Sequence, residues 1–192
     1  HMSMLRKLVA QVKKDQFSKR SGKLWGQLSE APSHLDRAVT GNVPSRAWEV
    51  RYPEDTEEVG GALVCSVDPL PEGTILPKEA WMLEKVREHL DAGDRCMVLP
   101  WHVSLCARYE VLFRNAGIKN VAILNASKIT PAKRQAWIKN ALAKGCEVLL
   151  VNPTAVQTGL NCLTDFNVQV WMENPQCKPI VYRQANGRIC HS

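Results

Sequence analysis

Along residues 75–192, short unbroken apolar runs alternate with stretches whose apolar residues recur every three or four positions, and this alternation predicts strands and helices in turn. Trp81, Met82, Val86 and Leu90 mark one helix face, which Gly93 ends. Residues 96–99 read as a strand opening onto Pro100-Trp101-His102. Leu105, Tyr109, Leu112 and Phe113 give the next helix, stopped at Gly117, and Val121–Leu124 makes another strand. Asn125-Ala126-Ser127 then turns into a helix from Pro131 carrying Trp137, Ile138, Ala141 and Leu142. Proline suits a first helical turn, because the N–H it lacks would be unpaired there anyway. Residues 147–151 and 168–172 are two further strands. Strand and helix repeated in this order predict an α/β fold, a doubly wound parallel sheet flanked by helices.

The preceding segment has a different pattern. Leu5, Leu8, Val9 and Val12 recur at helical spacing while Arg6, Lys7, Lys13 and Lys14 fill the other faces, so a basic amphipathic helix is expected. It reads either as a contact for a DNA backbone or membrane surface, or as a connector with a solvated face. Residues 31–77 hold Pro32, Pro44, Pro53, Pro69, Pro71 and Pro77 with Gly41, Gly60 and Gly61, and show little sustained periodicity. An irregular linker with at most short structure is expected there, with the compact domain starting near Ile75.

No apolar run approaches the length of a membrane span, and the first residues are basic without the apolar core of a secretory signal. The leading His-Met reads as a cloning remnant, and cytoplasmic residence is the expectation. The seven cysteines form an odd set without a C-x-x-C pair, which fits reduced thiols better than disulfides or a zinc site, and no metal site is expected. A formal charge of +6 favours polyanionic partners, and seven Lys/Arg against one acid within residues 1–23 concentrate it at one end.

The last third carries the most specific signal. Val148–Val151 empties into Asn152-Pro153 and then Thr158-Gly159-Leu160-Asn161-Cys162; a second apolar strand leads to Glu173-Asn174-Pro175, followed by Gln184-Ala185-Asn186-Gly187-Arg188. A small-residue turn offers backbone N–H groups to phosphates, and a guanidinium offers them charge. This ordered pair of motifs resembles motifs V and VI of superfamily 2 helicases, most closely the Swi/Snf-like branch of bacteria and phages. The resemblance covers about residues 75–191, with Pro77-Lys78-Glu79 similar to the end of the family's inter-lobe linker. One departure stands out: the family's second motif VI arginine falls at His191.

The resemblance implies a RecA-like second motor lobe in residues 75–192, cut short after motif VI, behind a helical and linker segment in residues 1–74. It implies Arg188 as an arginine finger on the γ-phosphate of ATP, positioned by Gln184, with Gly159, Asn161, Gly187 and Glu173 around the nucleotide. It also implies that the turns after the strands track a nucleic-acid backbone, DNA or RNA, through Thr158, Trp101, His102, Asn125, Ser127 and Arg134. Plainer readings stay open: packing at a strand end for Trp101 and His102, capping for Asn125 and Ser127, a solvated helix face for Arg134, and a surface ion pair for Arg188.

There is no G-x-x-x-x-G-K-[ST] and no acidic pair of the kind that holds magnesium, so ATP and Mg would be bound mainly by a partner lobe of the same parent chain, and this chain alone is not expected to hydrolyse ATP. Two other readings compete. A non-catalytic nucleic-acid-binding module would bind DNA regardless of Arg188. Half of a nucleotide-sugar transferase would also end strands in Gly-rich turns, but the Gln-Ala-Asn-Gly-Arg spacing argues against it.

Overall fold

Two strands, Cys96–Leu99 (β3) and Val148–Val151 (β5), are buried at every position, which for runs of Cys, Met, Val and Leu marks the centre of a sheet covered on both faces. They come from a computed structural model, which describes residues 2–14, 22, 24–26, 48–52, 61–68, 70–71, 73–156, 160–173 and 179–187. The chain divides into two compact units, His1–Thr74 and Ile75–Ser192.

In the second unit Val121–Leu124 (β4) and Val168–Trp171 (β6) flank the central pair in the order β4-β5-β3-β6, all parallel. Cys96 sits opposite Val148 on one side and Val168 on the other, while Val121 pairs with Val148. The pleat sends alternate side chains to opposite faces. Cys96, Val98, Val148 and Leu150 pack with Met82 and Val86 of helix Pro77–Asp91 (α2) and with Leu105, Tyr109 and Phe113 of helix Ser104–Asn115 (α3). Met97, Leu99, Leu149 and Val151 pack on the other face with Ile138 of helix Pro131–Ala143 (α4), with Leu163 and Phe166, and with Ala185 of helix Pro179–Asn186 (α5). The doubly wound α/β arrangement expected from the sequence is therefore present.

The connections show why both faces are covered. β3 is followed by α3 and crosses over β5 to reach β4; the chain then reverses direction through α4, on the opposite face, to reach β5. Reversing direction while keeping one hand of crossover moves the connection to the other face. The helices stop sharply. At Gly117 φ is 86°, a conformation open to glycine, and the following Ile118 N–H donates to the Phe113 carbonyl at 2.9 Å in a Schellman closure.

The first unit carries two short strands within the segment expected to be a linker. Helix Met2–Lys14 (α1) is present, but Trp48–Tyr52 (β1) and Ala62–Val67 (β2) form an antiparallel hairpin with an irregularity between Val50 and Arg51. Leu8 and Val12 of α1 form a small buried core with Leu24, Val50, Tyr52 and Cys65. The prolines of this region flank the strands and leave their interiors free, so no ladder donor is lost inside either strand. Leu8 and Val12 are buried, while Val9 on the same helix is 38% exposed. Among the described residues no helix is long and apolar enough to cross a membrane.

Candidate functional site

The winding reverses at neighbouring strands β3 and β5, whose connections depart to opposite faces, and the carboxyl ends at such a switch point are where open α/β sheets collect ligands. Three residues from three different strand ends meet there. After β3, the Trp101 N–H donates to Glu173 Oε2 at 2.7 Å, and the Trp101 carbonyl accepts from Asn152 Nδ2. Asn152 follows β5, and its Oδ1 accepts from the Thr154 N–H at 2.9 Å and from the Thr154 hydroxyl. Glu173 follows β6, and its other oxygen accepts from Lys78 Nζ at 2.8 Å. The loop peptide at Trp101 is thus held by side chains from both neighbouring strands, and Lys78 ties the start of α2 to the same carboxylate.

Beneath this cluster lies a buried ion pair that the sequence reading did not identify. Arg108 on α3 donates from Nε to Glu79 Oε1 at 2.5 Å and from a terminal nitrogen to Oε2 at 2.8 Å, with Glu79 fully buried and Arg108 7% exposed. Glu79 Oε2 also accepts the Leu76 N–H at 2.8 Å, closing the first turn of α2. The forked geometry suits a guanidinium, whose planar donors match both carboxylate oxygens. The signal was legible in principle: Glu79 stands in register with Met82 and Val86, and Arg108 with Leu105, Tyr109 and Leu112, so each apolar stripe carries one charge of opposite sign.

Next to the pair, the Tyr109 hydroxyl is buried with no hydrogen-bond partner. Burial, reinforced by the Glu173 and Glu79 carboxylates, pushes its phenol well above the ordinary 10. Burial likewise pushes the Cys106 thiol up to about 12 and the Cys96 and Cys146 thiols up to about 11. Five cysteines (65, 96, 106, 146 and 162) are buried free thiols, and their raised pKa values keep them as packing groups at neutral pH. Among the described residues no group of three His, Cys, Asp or Glu could hold a metal ion.

The remaining candidates distribute as follows. Trp101 and His102 are half-buried in the loop between β3 and α3, and the His102 carbonyl accepts the Leu105 N–H at 3.0 Å. Asn125 and Ser127 make a local turn at the end of edge strand β4, with Asn125 Oδ1 accepting from the Ser127 N–H at 3.0 Å and its hydroxyl at 2.7 Å. That turn leaves Thr130 as the N-cap of α4. Arg134 is half-buried and donates to the carbonyls of Ala155 (2.9 Å) and Ile129 (3.3 Å), which joins α4 to the turn after β5 and replaces the solvated-face reading. Asn161 opens the 3-10 turn Asn161–Asp165.

Half-buried Gln184 lies on α5, which packs against the turn Pro153–Ala155. Gly187 closes that helix with its N–H on the Arg183 carbonyl at 3.0 Å, and a Cβ there would come within 3.2 Å of the same oxygen. The helix is anchored to β6: Gln169 Nε2 donates to the Ala185 carbonyl, Trp171 Nε1 donates to Gln169 and Asn186, and the Trp171 and Tyr182 rings lie 5.0 Å apart. Thr158, Gly159 and Arg188 lie outside the described residues.

What the described residues define is a parallel α/β domain whose switch point is tied together by Trp101, Asn152 and Glu173. Compared with known proteins, the chain matches no family model, and neither a curated protein nor a solved structure is significantly similar to it.

Proposed function

We propose that residues 75–192 are the second, RecA-like motor lobe of an ATP-dependent DNA helicase or translocase of the Swi/Snf-like branch of superfamily 2, working with a Walker-bearing lobe of the same parent chain. What supports this reading is the order of the two sequence motifs against the described elements. The Thr158-Gly159 run follows β5, Glu173 follows β6, and α5, which leads towards Arg188, is pinned to β6 through Gln169, Trp171 and Asn186.

In this reading Arg188 stabilises the charge that builds on the γ-phosphate during transfer, and Gln184 positions it. Gly159, Asn161 and Gly187 supply close backbone approach to the nucleotide. Glu173 acts one step back: by holding Lys78 and the Trp101 peptide together it fixes the post-β3 loop relative to the start of α2. Trp101, His102 and Thr158 would contact the sugar-phosphate backbone, with Asn125 and Ser127 offering a hydroxyl and amide at the end of β4 and Arg134 stiffening the turn after β5. ATP and Mg would enter with the partner lobe, and lobe closure would couple hydrolysis to movement along the strand.

The reading is tested by ATP-dependent displacement of a streptavidin block from biotinylated DNA by the parent chain. Displacement that needs ATP and DNA is expected. DNA binding with no ATP-dependent displacement or hydrolysis would replace the motor with a binding module.

A further inference from the structure

At the end of the sheet opposite the switch point, edge strand β4 and the last turns of α4 line an open cavity of about 310 Å³. Its volume lies at the lower end of the roughly 300–1,000 Å³ range of small-ligand sites. The floor is apolar, formed by Ala122, Ala141 and buried Cys146, and one wall is the half-buried ring of Trp137. The rim is exposed and entirely cationic or amide: Lys119, Asn120, Asn140 and Lys144.

Among the described residues no carboxylate lines the cavity, and the rim residue Asn120 donates from Nδ2 to Glu147 Oε2 at 2.9 Å. Lys144 has a local reason to be basic, since it caps the carboxyl end of α4, where the helix dipole favours a cation. Lys119 has none, because it stands in the loop before β4. An indole face with an apolar floor accepts a planar ring, and two ammonium groups with two amides at the rim accept an anion carried by that ring.

We infer that this cavity is a second nucleic-acid contact, which stacks one nucleobase on Trp137 and holds its phosphate between Lys119 and Lys144. Stacking on an aromatic ring is tolerant of sequence, and lysine reads only the phosphate charge, so the site would grip a single strand without selecting bases. The inference rests on the nucleic-acid reading above but uses neither ATP nor the partner lobe. The same chemistry is offered by a free mononucleotide, which the experiment separates.

The test is anisotropy titration of a short fluorescein-labelled oligothymidylate with the chain itself at several salt concentrations, comparing wild type with Lys119→Gln/Lys144→Gln and with Trp137→Phe. Each phosphate contact on a single strand adds about 0.7 to the slope of log affinity against log salt, so the double variant, which loses the one phosphate held between the two lysines, should lower that slope by about 0.7. Its affinity at low salt should fall about tenfold, and Trp137→Phe, which keeps a ring, should lose less. Thermal melting of the lysine variant should be unchanged, since both side chains are exposed.

An unchanged slope with wild-type binding intact would overturn this site alone. Failure of the wild type to bind would overturn the nucleic-acid reading with it. Thymidine monophosphate binding as tightly as the oligonucleotide would assign the cavity to a free nucleotide, and equal competition by an acidic peptide would reduce it to charge; either result overturns the strand contact.

Discussion

Removing either partner of the Glu79–Arg108 pair leaves the other charge buried without its counterion, which costs about 3–5 kcal/mol, whereas replacing both by apolar residues of similar volume restores much of the loss. We therefore expect Glu79→Leu and Arg108→Met each to lower the urea midpoint strongly, and the double variant to recover most of it. Recovery should fall short by about 1 kcal/mol, because the Leu76 N–H loses its acceptor. Additive losses in the double variant would show that the pair is not a coupled unit. The buried thiols give a pH prediction. Their folded pKa values are raised to about 11 and 12 from an ordinary 9.0, so the unfolded chain ionises first. Stability is full below pH 9 and declines as pH rises from 9 towards 12, by roughly 1 kcal/mol per thiol at pH 10. Denaturation at pH 8, 9 and 10 checks the sign; a midpoint that holds constant to pH 10 would contradict it.

The elements differ in how openly the sequence announced them. Strands β3 and β5 were legible because continuous apolar runs of four residues suit strands covered on both faces, and the helices because their apolar stripes are regular. The hairpin was hidden by the prolines and glycines around it, although Trp48-Glu49-Val50-Arg51-Tyr52 alternates cleanly. The clamp of Trp101, Asn152 and Glu173 was only half legible: Trp101 and Glu173 stood in readable motifs, while their direct contact spans 72 residues and depends on strand order that no local pattern encodes. Asn152 passed as a turn residue, and Lys78 as part of a linker signature. Helix stops offer a test at this scale. Gly117→Ala places a Cβ in open space but at φ 86°, so its cost is backbone strain alone, about 1–2 kcal/mol. The urea midpoint should fall with an unchanged slope; a neutral result would mean that α3 can end in another conformation.

Across the whole molecule, a net charge of +6 suits a polyanionic partner, and the proposed reading puts the nucleotide's main cradle on a second lobe because this sequence carries no Walker motif. The segments after β3, β5 and β6 converge at the switch point, where the proposed reading has nucleotide and nucleic acid meet. That convergence would let nucleotide state at Arg188 be felt at the Trp101 loop through α5, β6 and Glu173. The most direct measurement is the DNA-stimulated ATPase rate of the parent chain with and without Arg188→Ala, because an arginine finger is worth about 10³–10⁵ in turnover. The account predicts strong stimulation by DNA in the wild type and loss of at least a thousandfold in the variant, with DNA affinity retained. Unchanged turnover in Arg188→Ala would contradict it.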